Sequence, residues 1–314
     1  MFNLNRLITP KASRKETIDK IIGLHEIGGF GNASREADII FIHGLGGDAL
    51  NTWHPKEHQD DNFWLNWLSE DIENFGVLSF GYEAEPFDWK GTAMPLFDQA
   101  SNLLEWMESK GIGDRPIIFI THSLGGLLVK KMLNTAQVYK KQNIIEHIKG
   151  IIFLSTPHTG SHLANLINNV SIFARTTVSV EELSSHTPQL RELNEWYREN
   201  IRDFGIATKI YYETRPVHGI LVVDEDSANP GIEGVKPIAI PENHITIAKP
   251  TSRNSLVYLS TKRFIHECLQ PIQRASEAQV ASRDNSASID VDKNIIIAGN
   301  SNSVQIGNHN INIK

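Results

Sequence analysis

The run Pro116-Ile117-Ile118-Phe119-Ile120-Thr121-His122-Ser123-Leu124-Gly125-Gly126 leaves the backbone very few choices. Its apolar part is short, β-branched and bounded by proline, which predicts a buried strand rather than a helix. Leu127-Leu128-Val129-Lys130-Lys131-Met132-Leu133 then predicts a helix, so Ser123 stands at the tip of a strand-to-helix turn. That is the geometry of a nucleophile elbow, in which a sharp turn lifts a hydroxyl clear of the sheet. The helix start behind it favours developing negative charge. The elbow pattern is Gly-x-Ser-x-Gly, and here Thr121 stands at the first glycine while Gly125 keeps the second.

A second strand, Asp38-Ile39-Ile40-Phe41-Ile42, runs directly into His43-Gly44-Leu45-Gly46-Gly47. A glycine-rich loop in this place supplies one of the two backbone amides of an oxyanion hole in folds of the α/β-hydrolase type. The amides of Leu45 and Leu124, the residue after the nucleophile, are assigned that role. Gly44 and Gly46 keep side chains out of the approach to Leu45. The remaining members of a triad should follow Ser123 in the order acid, histidine. Of the 13 histidines, His244, in Pro241-Glu242-Asn243-His244-Ile245-Thr246, lies where the general base belongs. Ile220-Leu221-Val222-Val223 reads as the strand before the acid. Asp224, Glu225 and Asp226 all follow it, and spacing does not choose among them.

Three further histidines have bland assignments. His158 follows a strand end and is placed at the rim of the site. His122 is a packed histidine whose side chain points away from the site. His43 braces the oxyanion loop through a backbone hydrogen bond. None shows the paired spacing of a metal site, and no metal or other cofactor is expected.

These segments, together with Gly150-Ile151-Ile152-Phe153-Leu154-Ser155-Thr156-Pro157-His158-Thr159-Gly160-Ser161, Val222-Val223-Asp224-Glu225-Asp226-Ser227-Ala228 and Asn243-His244-Ile245-Thr246-Ile247-Ala248-Lys249-Pro250, resemble the serine-active-site-containing lipase-like family of α/β-hydrolases, related to the GPI inositol-deacylases. The resemblance covers about residues 36–270. It implies an α/β-hydrolase fold and a serine esterase or lipase acting on a lipid or small acyl ester. It also implies a triad of Ser123, His244 and the acid directly before Ser227-Ala228, which is Asp226, with Asp224 as second choice.

Apolar strands alternate with helical segments along the chain. Val77–Tyr82, Ile151–Leu154 and Ile206–Tyr212 read as strands, and Phe97–Met107 as a helix with apolar positions three and four apart. This rhythm predicts a doubly wound, mostly parallel sheet. Residues 1–35 form a polar lead-in, 36–272 the hydrolase domain, 273–292 a linker and 293–314 a β-prone tail. Two insertions interrupt the rhythm. Asn51–Trp67 carries three tryptophans, and about 161–200 is placed as a helical cap over the site. A net charge of −7 without a basic block argues against nucleic-acid binding. The single Cys268 fits a reducing compartment, and no stretch approaches the roughly 20 apolar residues of a spanning helix, so a cytoplasmic location with transient membrane contact is expected.

The end of the chain has another character. Residues 294–314 alternate isoleucine and valine with asparagine, serine and glycine, lack proline, and carry almost no charge. Such a segment makes no core alone but stacks on copies of itself as ladders of strands. Val304-Gln305-Ile306-Gly307 resembles the core of the receptor-interacting-protein homotypic interaction motif (RHIM), which builds signalling amyloids. The resemblance implies a cell-death or innate-immune effector whose partner is a second copy of the chain or a receptor with a matching motif. The competing reading is a catalytically weak hydrolase fold that serves as a scaffold.

Overall fold

The computed structural model describes residues 22–55, 63–84, 96–158 and 187–270. The chain divides into Met1–Cys268, which carries the sheet and the site, and Leu269–Lys314, of which only the first two residues are described. The linker and the Val304–Gly307 motif therefore lie outside the described residues, as does most of the expected cap.

Seven strands form one sheet: β1 (Gly23–Gly28), β2 (Ala37–Ile42), β3 (Phe75–Gly81), β4 (Ile117–His122), β5 (Ile148–Leu154), β6 (Ala207–Glu213) and β7 (Ile238–Ile240). Their order is β1-β3-β2-β4-β5-β6-β7. Only β1, at the edge, runs antiparallel; every other pairing is parallel. β2, β3 and β4 are buried along their whole length, as a parallel sheet covered on both faces requires.

Period-two alternation splits the apolar residues between two faces. Ile40, Ile42, Phe119, Ile151 and Phe153 pack on one face under α2 (Leu96–Ser109), α3 (Leu124–Val138), α4 (Gln142–His147) and α5 (Thr187–Asn200). From α5, Leu190, Leu193 and Tyr197 enter this core, so the described end of the expected cap packs as an ordinary layer helix. On the other face Phe41 meets Trp53 and Trp64 edge-on at 5.0 and 4.9 Å. Trp64, on α1 (Trp64–Asp71), also donates its indole N–H to the Ala248 carbonyl at 3.1 Å. Complete burial of such rings contributes roughly 1.5–3 kcal/mol each. Two of the three inserted tryptophans thus cover the sheet. The helix α6, residues 256–270, is tied to α1 by Tyr258 and Lys262, both hydrogen-bonded to Asp71 Oδ2 at 2.9 and 3.0 Å.

One predicted strand is absent. Val217 and Ile220 exchange backbone hydrogen bonds of 2.9 Å across His218 and Gly219, both at positive φ. The chain reverses there in a two-residue turn of the type that favours glycine. Ile220–Val223 follows this turn as irregular backbone with Leu221 exposed, not as a sheet strand. The sheet strand that precedes the Asp224–Asp226 segment is β6, which ends at Glu213.

Candidate active site

Ser123 is held at φ 51°, ψ −121°, a conformation that costs an L-residue of order 1–3 kcal/mol. Its neighbours fix it there. The Ser123 N–H donates to the Leu154 carbonyl at 2.9 Å, and its own carbonyl accepts from Thr156 Oγ1 at 3.0 Å and from the Gly126 N–H at 3.1 Å. A Cβ on Gly125 would stand 2.4 Å from the carbonyl oxygens of both Ile42 and His43, so only glycine permits this approach of α3 to β2. Thr121 is tolerated at the other glycine position because its hydroxyl donates to the Ile152 carbonyl at 2.9 Å within the sheet.

His244 comes to Ser123 from the loop after β7. Its Nε2 lies 3.0 Å from Ser123 Oγ, and its Nδ1 lies 3.2 Å from Glu213 Oε1. An ionised carboxylate only accepts, so Nδ1 carries the proton and Nε2 is left to accept the serine O–H. All three side chains are buried. Glu213 Oε1 also accepts the Val223 N–H at 2.7 Å, while Oε2 has no protein partner.

The carboxylate against His244 is therefore Glu213, not Asp226 or Asp224. Asp226 is exposed, and Asp224 caps the helical turn Glu225–Ala228 by accepting the Ser227 N–H at 2.9 Å. Glu225 accepts from Tyr212 Oη at 3.2 Å. Sequence reasoning missed Glu213 because the apolar run Ile220–Val223 imitates the strand before the acid. The available signal was a carboxylate at the carboxyl end of a parallel strand, where sheets of this class gather functional groups.

The Gly44–Gly47 loop lies beside Ser123. A Cβ on Gly44 would stand 2.8 Å from Ser123 Cβ. Among the described residues no protein acceptor takes the N–H of Leu45 or Leu124. His43 braces this loop: its Nδ1 donates to the Gly44 carbonyl at 2.9 Å, and its Nε2 accepts the Tyr82 N–H at 3.3 Å. Tyr82 Oη donates to the His43 carbonyl at 2.8 Å, and the two rings stack at 4.3 Å. Burial pushes the His43 imidazole down to about 4, so it stays neutral near pH 7.

His122 does not point away from the site. It lines the pocket with His244 and donates from Nε2 to the His244 carbonyl at 2.8 Å. Burial, reinforced by the neighbouring His244, pushes it down to about 3. His158 is not at the rim either. It is buried edge-on to Phe153 at 4.7 Å, with no hydrogen-bond partner for either ring nitrogen among the described residues and its basicity depressed by burial. Beside it, the buried Lys130 is desolvated as well and donates to Asn194 Oδ1 at 2.7 Å.

A pocket of about 320 Å³ opens beside His122 and His244. It is lined by the Gly44–Gly47 loop, by the polar Asp48, Asn51 and Thr52, and by His122, His244, Ile245 and Lys249. Among the described residues no group of three His, Cys, Asp or Glu is placed to hold a metal, and no helix is long and apolar enough to cross a membrane.

The family model described as PGAP1-like alpha/beta domain matches residues 35–211, which include the oxyanion loop and the elbow but end before Glu213 and His244. Protein SERAC1 of Bos taurus and of Homo sapiens are each 33% identical to the chain over 258 residues, 74% of this chain and 39% of the relative. The chain thus spans about two fifths of the length of the curated relatives it matches. Among solved structures, phospholipase PlaB from Legionella pneumophila in complex with thio-NAD aligns with a TM-score of 0.54 at 18% identity, over 83% of this chain and 64% of that one. Bacillus licheniformis lipase BlEst2 in mature form aligns with a TM-score of 0.50 at 16% identity, over 78% and 96%. These two likenesses show a shared fold.

Proposed function

The chain belongs to the PGAP1-like alpha/beta domain family, and on that premise we propose that it is a serine hydrolase that cleaves an acyl ester, with Ser123, His244 and Glu213 as its triad. The observation that carries this reading is the buried hydrogen-bonded line from Ser123 Oγ through His244 to Glu213. Ser123 Oγ attacks the ester carbonyl while His244 Nε2 takes its proton. The new oxyanion accepts the amides of Leu45 and Leu124. Collapse of the tetrahedral species breaks the ester C–O bond, and His244 returns the proton to the leaving alcohol. Water, deprotonated by His244, then attacks the acyl-serine, releases the carboxylic acid and restores Ser123. Glu213 holds the productive tautomer and stabilises the imidazolium in both steps.

The substrate class we favour is a lipid ester. Support comes from the lipase-like family and from the apolar Leu45 and Ile245 beside the pocket. Its test is turnover of diacyl lipids against p-nitrophenyl butyrate. A fluorophosphonate probe should label the wild-type protein and leave Ser123→Ala unlabelled, and His244→Ala should lower turnover by about 10⁴- to 10⁶-fold. A wild-type protein that neither takes the probe nor turns over any ester overturns the hydrolase reading and favours a scaffold.

Residues 293–314 cluster the enzyme by stacking Val304-Gln305-Ile306-Gly307 as strands about 4.7 Å apart, on copies of the chain or on a templating receptor, as a cell-death or immune output. The peptide 288–314 should form thioflavin-positive fibrils, and Gln305→Asp with Gly307→Asp should abolish them. A wild-type peptide that stays monomeric with seeds present sinks this part alone.

A further inference from the structure

His122 is the residue in the site that the triad leaves without a task. It is buried, and its ring centroid is 5.0 Å from that of His244 and 6.5 Å from Trp53. Nε2 donates at 2.8 Å to the backbone carbonyl of His244, the residue whose ring must meet Ser123. With Nε2 carrying the proton, Nδ1 is a bare acceptor, and among the described residues it has no hydrogen-bond partner. Nδ1 faces Gly44: a Cβ there would approach it to 3.2 Å and would also approach Ser123 Cβ to 2.8 Å. The backbone of His122 is continuous with Ser123. One side chain therefore touches the base loop and the oxyanion loop while its own backbone carries the nucleophile.

We infer that His122 is a positioning residue that clamps the His244 loop and the Gly44 loop to the nucleophile strand, fixing the Ser123–His244 distance through its Nε2 hydrogen bond to the His244 carbonyl. The loop after β7 is folded on itself, with Asn243 Oδ1 accepting the Ile245 and Thr246 N–H groups at 2.9 Å, but these bonds lie within the loop and do not set its distance from Ser123. A misplacement of about 1 Å between reacting groups costs on the order of 100-fold in rate. A donor reaching across from the nucleophile strand removes that freedom. The ring serves in its neutral form, because among the described residues a proton on Nδ1 would have no acceptor.

The inference rests on the hydrolase reading above, and the experiment separates the two. Fluorophosphonate labelling rates and steady-state ester hydrolysis are measured for wild type, His122→Phe and His122→Gln, with thermal unfolding as a check on folding. His122→Phe keeps the ring and loses the donor. It should lower kcat and the labelling rate by about 10- to 100-fold with KM nearly unchanged. His122→Gln restores an N–H at similar reach and should recover most of the loss. Equal rates in wild type and His122→Phe overturn the clamp and leave the hydrolase intact. An unreactive wild type overturns both. Should His122→Phe fail to fold, ¹⁵N spectra of the wild-type imidazole decide: a proton on Nε2 coupled to the His244 carbonyl supports the clamp, and a proton on Nδ1 refutes it.

Discussion

Replacing Glu213 by glutamine isolates the charge of the triad from its geometry, for a reason visible in the hydrogen bonds. A single oxygen, Oε1, accepts both the Val223 N–H at 2.7 Å and the His244 ring N–H at 3.2 Å. The other oxygen has no protein partner. A glutamine that keeps its carbonyl at the Oε1 position retains both hydrogen bonds and places its NH₂ where Oε2 stood. The imidazole then keeps its working tautomer and loses only the negative charge behind the imidazolium. With charge centres about 4.5 Å apart and an effective dielectric constant of about 20, that charge is worth about 4 kcal/mol. The expected loss in kcat is therefore about 900-fold. If the amide turned over instead, its NH₂ would enforce the wrong tautomer and the loss would be about 10⁴-fold. Hydrolysis of a p-nitrophenyl ester by Glu213→Gln, alongside Asp226→Asn as the exposed control, measures this. Retention of more than half the activity in Glu213→Gln, or an equal loss in Asp226→Asn, would refute the assignment of the acid.

Gly125→Ala should fold poorly or lower the unfolding temperature sharply, since its methyl meets two carbonyl oxygens at 2.4 Å and overpacking alone costs roughly 1–3 kcal/mol; an unchanged melting curve would contradict the packing. Acid should unfold the protein through its buried neutral histidines, with His43 lowered to about 4, His122 to about 3 and His158 lowered by burial. Their folded basicity is depressed, so below the ordinary histidine range of about 6.5 the unfolded chain binds more protons than the folded one, and stability falls as pH drops from there toward 4. His43 and His122 alone give a slope of about 2.5 kcal/mol per pH unit near pH 5, His158 adds to it in the same direction, and urea unfolding that is flat between pH 6.5 and 5 would exclude it.

The parts of the site that the sequence discloses are those written in local pattern. The strand, the serine and the helix around Ser123 are contiguous, and β2 runs into its glycine loop without a break. His244 is singled out by chain order alone, and the structure places its Nε2 3.0 Å from Ser123 Oγ. The acid needed three-dimensional information. Glu213 and Asp226 both follow apolar residues, and what separates them is the reversal at His218-Gly219. That turn takes Ile220–Val223 out of the sheet and brings the Val223 amide, rather than a carboxylate from its own loop, to Glu213 Oε1. His122 and His158 were misplaced for a related reason. A residue at a strand end has no fixed side until its neighbours in space are known.

The dihedral angles of Ser123 set function and durability against each other at one residue. The elbow strain is borne every moment the protein is folded, whether or not substrate is present. Glycine adopts this conformation without penalty, so Ser123→Gly should be inert yet more heat-resistant than the parent, whereas Ser123→Ala, which keeps a Cβ, should be inert without that gain. Neutral drift in a lineage released from the need for catalysis would accordingly favour glycine at the elbow tip.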